Sequence, residues 1–100
     1  MKTRPALVLS SESFNKKSNS IIVAQITSNL KSGLKELNVP IVDEDLERYP
    51  GTRPIIPSII NPYVIFSVNK RMVIKRIGLL RERKLAKVYE NLLKVLDLIQ

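Results

Sequence analysis

The chain has no cysteine and no histidine. Without cysteine there are no disulfides and no thiolate nucleophile, and without either residue nearly every transition-metal site is excluded. The side chain most used for general acid–base chemistry near neutral pH is missing too. Any catalysis must therefore draw on Arg, Lys, Thr, Ser, Tyr or a carboxylate. No apolar run approaches the ~20 residues needed to cross a bilayer. Ala6–Leu9, behind Lys2 and Arg4, is too short for a secretory signal. These absences lead us to expect a cytoplasmic chain with no membrane partner. The acidic cluster Asp43, Glu44, Asp45 and Glu47 lacks the spacing of a calcium loop. It reads as exposed loop or turn, and no metal site or cofactor is expected.

What is present suits one domain spanning residues 1–100. A chain of 100 residues that is 44% hydrophobic can bury a real core. The formal net charge is +8, and it is unevenly placed. Lys70–Lys87 carries eight basic residues against Glu82 alone, while the remainder has nine basic and eight acidic residues. Such a segment suggests a polyanionic partner; a solvated basic face is the alternative.

Ala6–Ser10, introduced by Pro5, reads as a buried strand with proline at its start. Ser11–Asn19 reads as a polar loop in which Phe14 folds back as an anchor. Ser20–Thr27 is rich in β-branched residues and gives the clearest strand signal. Its period of two sets Ile22, Ala24 and Ile26 on one face and Ile21, Val23, Gln25 and Thr27 on the other. Leu30–Asn38 reads as a connector. Val39–Val42, with Pro40, can form only an edge strand or extended segment. Arg53–Asn61 reads as extended, Pro62 as an interruption, Val64–Val68 as a further strand, and Met72–Ile77 as another that Gly78 ends. From Arg81 to Ile99 the period changes. Leu85, Val88, Leu92, Val95, Leu96 and Ile99 form one helical face, with Asn91 on another. Short strands and a closing amphipathic helix predict a small β-rich domain.

Three stretches in order carry a resemblance: Lys2-Thr3-Arg4-Pro5-Ala6-Leu7-Val8-Leu9-Ser10, then Phe14-Asn15, then Ile22-Val23-Ala24-Gln25-Ile26-Thr27-Ser28-Asn29. Together they resemble the MazF/PemK family of toxin endoribonucleases from type II toxin–antitoxin pairs. Pro57-Ser58-Ile59-Ile60, Ile65-Phe66-Ser67-Val68, the segment Lys70–Gly78 and the closing helix fit its second half. The resemblance implies a mainly β fold with a C-terminal α-helix, an SH3-like small barrel. It also implies a homodimer that cleaves single-stranded RNA without a metal and binds a cognate antitoxin protein. The catalytic pair carried over is Arg4 and Thr27. Lys2, Thr3, Ser28, Asn29, Lys70, Arg71, Lys75 and Arg76 are the RNA-binding candidates.

The chemistry available matches that implication. RNA brings its own nucleophile, the 2′-hydroxyl. Guanidinium is a planar, bidentate partner for phosphate oxygens but a poor general base. Arg4 would stabilise charge, and Thr27 would hydrogen-bond a phosphate oxygen or the 2′-hydroxyl. Without the resemblance, Arg4 reads as a cation paired with Glu12 or Asp43, and Thr27 as an ordinary strand former. Two other readings stand beside the enzyme: a non-catalytic SH3-like module that binds nucleic acid, and an inactive shortened toxin that still binds its antitoxin. The family normally opens with one more strand and a loop before the Arg-Pro strand. Their absence here leads us to expect an open barrel with an unpaired strand edge.

Overall fold

Every strand of the main sheet is antiparallel to its neighbour in the computed structural model, which describes residues 3–96. Strand β1 (Ala6–Val8) and helix α1 (Glu12–Lys17) are followed by β2 (Ser20–Thr27), β3 (Val39–Ile41), β4 (Leu46–Arg48), β5 (Ser58–Asn69), β6 (Gly78–Leu80) and helix α2 (Glu82–Leu96). The main sheet has the order β1-β2-β5-β3, and β4 pairs with β6 in a two-stranded ribbon. The expected class, mainly β with a closing helix, is what the chain forms. The sheet curls as a half-barrel.

The core lies where this curl meets α2. Ala24, Val39, Ile41, Ile60 and Val88 are buried together, and Leu7, Leu9, Ile26, Leu46, Ile55 and Leu80 pack against them. Ala24 and Ile26 thus use the face of β2 that its alternation assigns to them. Ile21 and Val23, on the opposite face, are buried as well, so β2 is covered on both sides along its first half. Fully burying one such aliphatic side chain contributes roughly 1.5–3 kcal/mol.

Several segments depart from their sequence reading, each for a local reason. The polar stretch after β1 is a helix, α1, because Ser11 caps it: its hydroxyl accepts from the Phe14 N–H at 3.1 Å. Phe14 is 42% exposed and anchors nothing. Asn15 does that work, donating to the Ser10 carbonyl at 3.2 Å, while the Ser10 hydroxyl accepts from the Ile22 N–H at 2.9 Å. Pro62 does not divide two strands. Ser58–Asn69 is one strand whose register against β2 shifts between Ala24 and Gln25: Ala24 faces Ile65 and Gln25 faces Asn61. Pro62, Tyr63 and Val64 form the bulge, where proline costs no ladder bond.

Nor is Met72–Ile77 a strand. Lys70–Met72 is a 3-10 turn, the next residues have no regular structure, and the strand begins at Gly78. There the Glu47 carbonyl and Arg48 Cα approach so closely that any β-carbon at position 78 would collide with backbone. The acidic cluster is not a loose loop. Asp43–Asp45 is a 3-10 turn leading into β4. Buried Asp45 accepts from the Val42 N–H at 2.8 Å, and Asp43 pairs with Arg48 at 3.0 Å and accepts from the Ile55 N–H at 3.1 Å. Helix α2 starts at Glu82, and residues 97–99 of the expected helix lie outside the described residues. Asn91 belongs to its buried stripe, not to another face, and donates to the Leu37 carbonyl at 3.0 Å.

Candidate nucleic-acid interface

The predicted catalytic residues lie toward one end of the β1–β2 ladder, where Arg4 precedes β1 and Thr27 closes β2. The register pairs Ala6 with Gln25, Leu7 with Ala24 and Val8 with Val23. Carried two residues toward the N-terminus, it sets Arg4 opposite Thr27, and directly opposed residues share a sheet face. The ladder stops at Ala6 for a covalent reason. Leu9 donates to the Ile22 carbonyl at 2.8 Å, so with a period of two Leu7–Ala24 and position 5 opposite Ile26 are the next bonding positions. Pro5 has no N–H to give there. Arg4 thus lies on a short lead outside the sheet, before the proline that ends the pairing.

Neither acid suggested as a partner for Arg4 is available to it. Glu12 pairs with Lys16 and Asp43 with Arg48. Among the described residues Arg4 makes no ion pair, and it is exposed, so its five N–H donors point to solvent or a ligand. The Thr27 hydroxyl is oriented, since Oγ1 accepts from the Asn29 N–H at 3.1 Å. Its proton remains to be donated. Asn29 Oδ1 in turn accepts from the Lys31 N–H at 3.1 Å, which fixes Ser28 and Asn29 in a tight turn directly after the strand.

Thr3, Arg4, Thr27, Ser28, Asn29, Lys70, Lys75 and Arg76 all line one trough. At about 1990 Å³ it exceeds the ~300–1,000 Å³ of a small-molecule site. Lys75 is steadied by its ammonium donating to the Gly51 carbonyl at 3.4 Å. Arg71 lies elsewhere, in a small depression with Asn19, Asn69 and Lys70. Lys2 lies outside the described residues. The later part of the basic segment braces the fold: Arg81 donates to the Glu44 carbonyl at 2.8 Å, and Lys84 donates to that of Pro40 at 2.7 Å.

Residues 1–96 match the family described as PemK-like, MazF-like toxin of type II toxin-antitoxin system. The chain belongs to that family. The fold of this PemK/MazF-like chain is similar to the Mycobacterium tuberculosis toxin MazF-mt6, with a TM-score of 0.76 at 23% identity over 97% of this chain and 89% of that one. An endoribonuclease in complex with its cognate antitoxin, from mycobacterial species, gives a TM-score of 0.73 at 15% identity, covering 97% and 84%. A further mycobacterial endoribonuclease gives 0.70 at 15% identity, covering 94% and 80%. No curated protein sequence gives a significant match.

Two features of this PemK/MazF-like surface escaped the sequence reading. Arg53 also lines the trough, and a lone arginine between prolines gives no signal of that. The second is a hydrogen-bond hub behind the turn that follows Thr27. Gln25 donates to Asn61 Oδ1 at 2.9 Å. Asn61 and the Tyr63 hydroxyl each donate to Asn38 Oδ1 at 2.8 Å, and Asn38 donates to the Ser32 carbonyl at 2.7 Å. The Tyr63 hydroxyl also accepts from the Leu34 N–H. Gly33, at φ 73°, lets the loop pass this hydroxyl, where a side chain would meet both backbone strain and the ring. Scattered amides from positions 25 to 63 carry no motif.

Among the described residues no group of three metal-ligating side chains occurs, and no helix is long and apolar enough to cross a membrane.

Proposed function

We propose that this PemK/MazF-like toxin is an endoribonuclease that cleaves single-stranded RNA without a metal. The shared placement of Arg4 and Thr27 supports this reading most directly: a guanidinium with no acidic partner among the described residues and a pre-oriented hydroxyl line the same basic trough. The RNA 2′-oxygen attacks the adjacent phosphorus, losing its proton to water. The bond from phosphorus to the 5′-oxygen breaks, and that oxygen is protonated as it leaves. The products are a 2′,3′-cyclic phosphate and a 5′-hydroxyl. Arg4 neutralises charge gathering on the phosphate oxygens. Thr27 donates to one of those oxygens or holds the 2′-hydroxyl.

Thr3, Ser28, Asn29, Lys70, Lys75 and Arg76 then hold flanking nucleotides, and Arg71 meets RNA beside Lys70. The substrate is messenger RNA in the cytoplasm, the working form is a homodimer, and a cognate antitoxin protein is the controlling partner. The mycobacterial endoribonuclease solved with its antitoxin is the structural support for that last step.

The test is cleavage of a mixed-sequence RNA in EDTA. Arg4→Ala should lower kcat/KM by about 10²–10³-fold, the cost of losing one donor to a developing oxyanion. Thr27→Val should cost about tenfold or more, while Thr27→Ser retains most activity. A substrate carrying 2′-deoxyribose at the cut site should remain intact. Cutting of that substrate, or full activity in Arg4→Ala, rules the mechanism out.

A further inference from the structure

The turn that orients the Thr27 hydroxyl has few holds of its own. Residues 28–31 are exposed and Ser32 is half-buried. Inside the turn, the Asn29 N–H donates to Thr27 Oγ1 at 3.1 Å, the Lys31 N–H to Asn29 Oδ1 at 3.1 Å and the Ser32 N–H to the Asn29 carbonyl at 3.0 Å. Beyond Thr27, a single hydrogen bond ties residues 28–32 to the rest of the fold among the described residues. It runs from Asn38 Nδ2 to the Ser32 carbonyl at 2.7 Å.

Asn38 is itself fixed on both sides. It precedes β3, whose first residue, Val39, is buried opposite Ile60. Its Oδ1 accepts from Asn61 and from the Tyr63 hydroxyl, each at 2.8 Å, which turns Nδ2 toward Ser32. Asn61 is fully buried and accepts in turn from Gln25. The adjacent Leu37 carbonyl accepts from Asn91 of α2 at 3.0 Å. A continuous chain of bonds therefore runs from buried Asn61 in β5 through Asn38, Ser32 and Asn29 to the Thr27 hydroxyl. No residue from 30 to 38 lines the trough, so Asn38 reaches the site without touching a substrate held there.

We propose that Asn38 is a positioning residue for RNA cleavage, acting through the turn it pins to keep the Thr27 hydroxyl in its donating orientation. The inference rests on the role proposed above for Thr27. With Oγ1 engaged by the Asn29 N–H, the side chain is confined to one staggered rotamer and its proton stays free for the substrate. Release of the turn lets Oγ1 rotate, and the aligned state is populated less. Such a loss falls on kcat more than on KM, because most trough-lining groups lie outside this turn.

The experiment compares Asn38→Asp with the wild-type protein in RNA cleavage and by NMR. Aspartate keeps an oxygen for Asn61 and Tyr63 but has no N–H for Ser32. It should lower kcat by about three- to tenfold and change KM by less than about twofold. In a Thr27→Val background the same substitution should change kcat by less than about twofold, since the group it acts through is gone. Tyr63→Phe, which takes from Asn38 one of its two donors, should show the same coupling at about two- to threefold. Ser11→Ala removes the cap of α1, which has no part in this chain of bonds, and should keep full kcat. Without RNA, the three-bond coupling between Thr27 Hα and Hβ should move toward a rotamer-averaged value in Asn38→Asp, and the Asn29 amide should exchange at least about fivefold faster. An equal loss of kcat in the Thr27→Val background overturns the proposal, as does a Thr27 coupling and Asn29 exchange unchanged from wild type. If the wild-type protein leaves RNA intact, the proposed function fails, and the coupling and the Asn29 amide alone decide whether Asn38 sets Thr27.

Discussion

Tyr63 shows how much of this site is arranged by residues that touch no substrate. Its hydroxyl donates to Asn38 and accepts from the Leu34 N–H, so one oxygen ties the bulge in β5 to the loop after Thr27. Tyr63→Phe keeps the ring and removes both bonds. The Leu34 N–H is exposed and Asn38 Oδ1 keeps its bond from Asn61, so the loss should cost about 0.5–1.5 kcal/mol, read as a lower urea midpoint with an unchanged m-value. Amide exchange should quicken across residues 28–38 and stay as before in α2. Arg4 and Thr27 are proposed as the pair because the Arg-Pro strand and the strand ending in Thr27 occur in the family's order. The hub was not, since its members gain meaning only when the register shift brings Gln25 opposite Asn61.

At the scale of elements, β2 was legible to its ends, because eight consecutive residues from Ser20 to Thr27 alternate without a breaker. Strand β6 was not legible. The apolar run before it looks like a better strand than Gly78-Leu79-Leu80, but propensity loses there to close backbone approach. Glu47 and Arg48 come so near position 78 that glycine alone fits. Gly78→Val should therefore part β6 from β4 and cost about 1–3 kcal/mol or more, as overpacking does. The check is loss of protection at the Arg48 and Leu80 amides, with the β2–β5 ladder kept. Helix α1 was missed because five of its six residues are polar, and it depends on a cap. Ser11→Ala should cost about 0.5–2 kcal/mol, seen as faster exchange at the Phe14 amide.

Across the whole molecule, the excess positive charge divides by task. Arg81 ties the start of α2 to the Asp43–Asp45 turn and Lys84 ties it to β3, while Lys70, Lys75, Arg76 and Arg53 line the trough. Sequence clustering alone does not separate bracing cations from binding ones. The division makes a quantitative forecast. If about four trough cations each neutralise one phosphate, the logarithm of RNA affinity should fall with the logarithm of salt at a slope near −3. Lys75→Ala with Arg76→Ala should flatten that slope by about one to two, and Lys84→Ala should lower stability while leaving it nearly unchanged. A slope that Lys84→Ala flattens as much would show that charge acts through the whole surface.

The pairing of β2 with β5 also sets a clock. Ser20 faces Asn69 and Thr27 faces Ile59, so the central ladder closes across a long span of chain. Topologies dominated by such distant contacts fold in milliseconds to seconds, not microseconds. The α1 helix and the β1–β2 corner are local and can form first, yet the trough wall that follows β5 arrives only after that closure. Stopped-flow refolding should show the site-bearing sheet appearing as one slow event. A newly made chain therefore passes through an interval in which the Arg4–Thr27 corner exists without its groove. During that interval the polar corner stands exposed without the wall that later faces it across the trough.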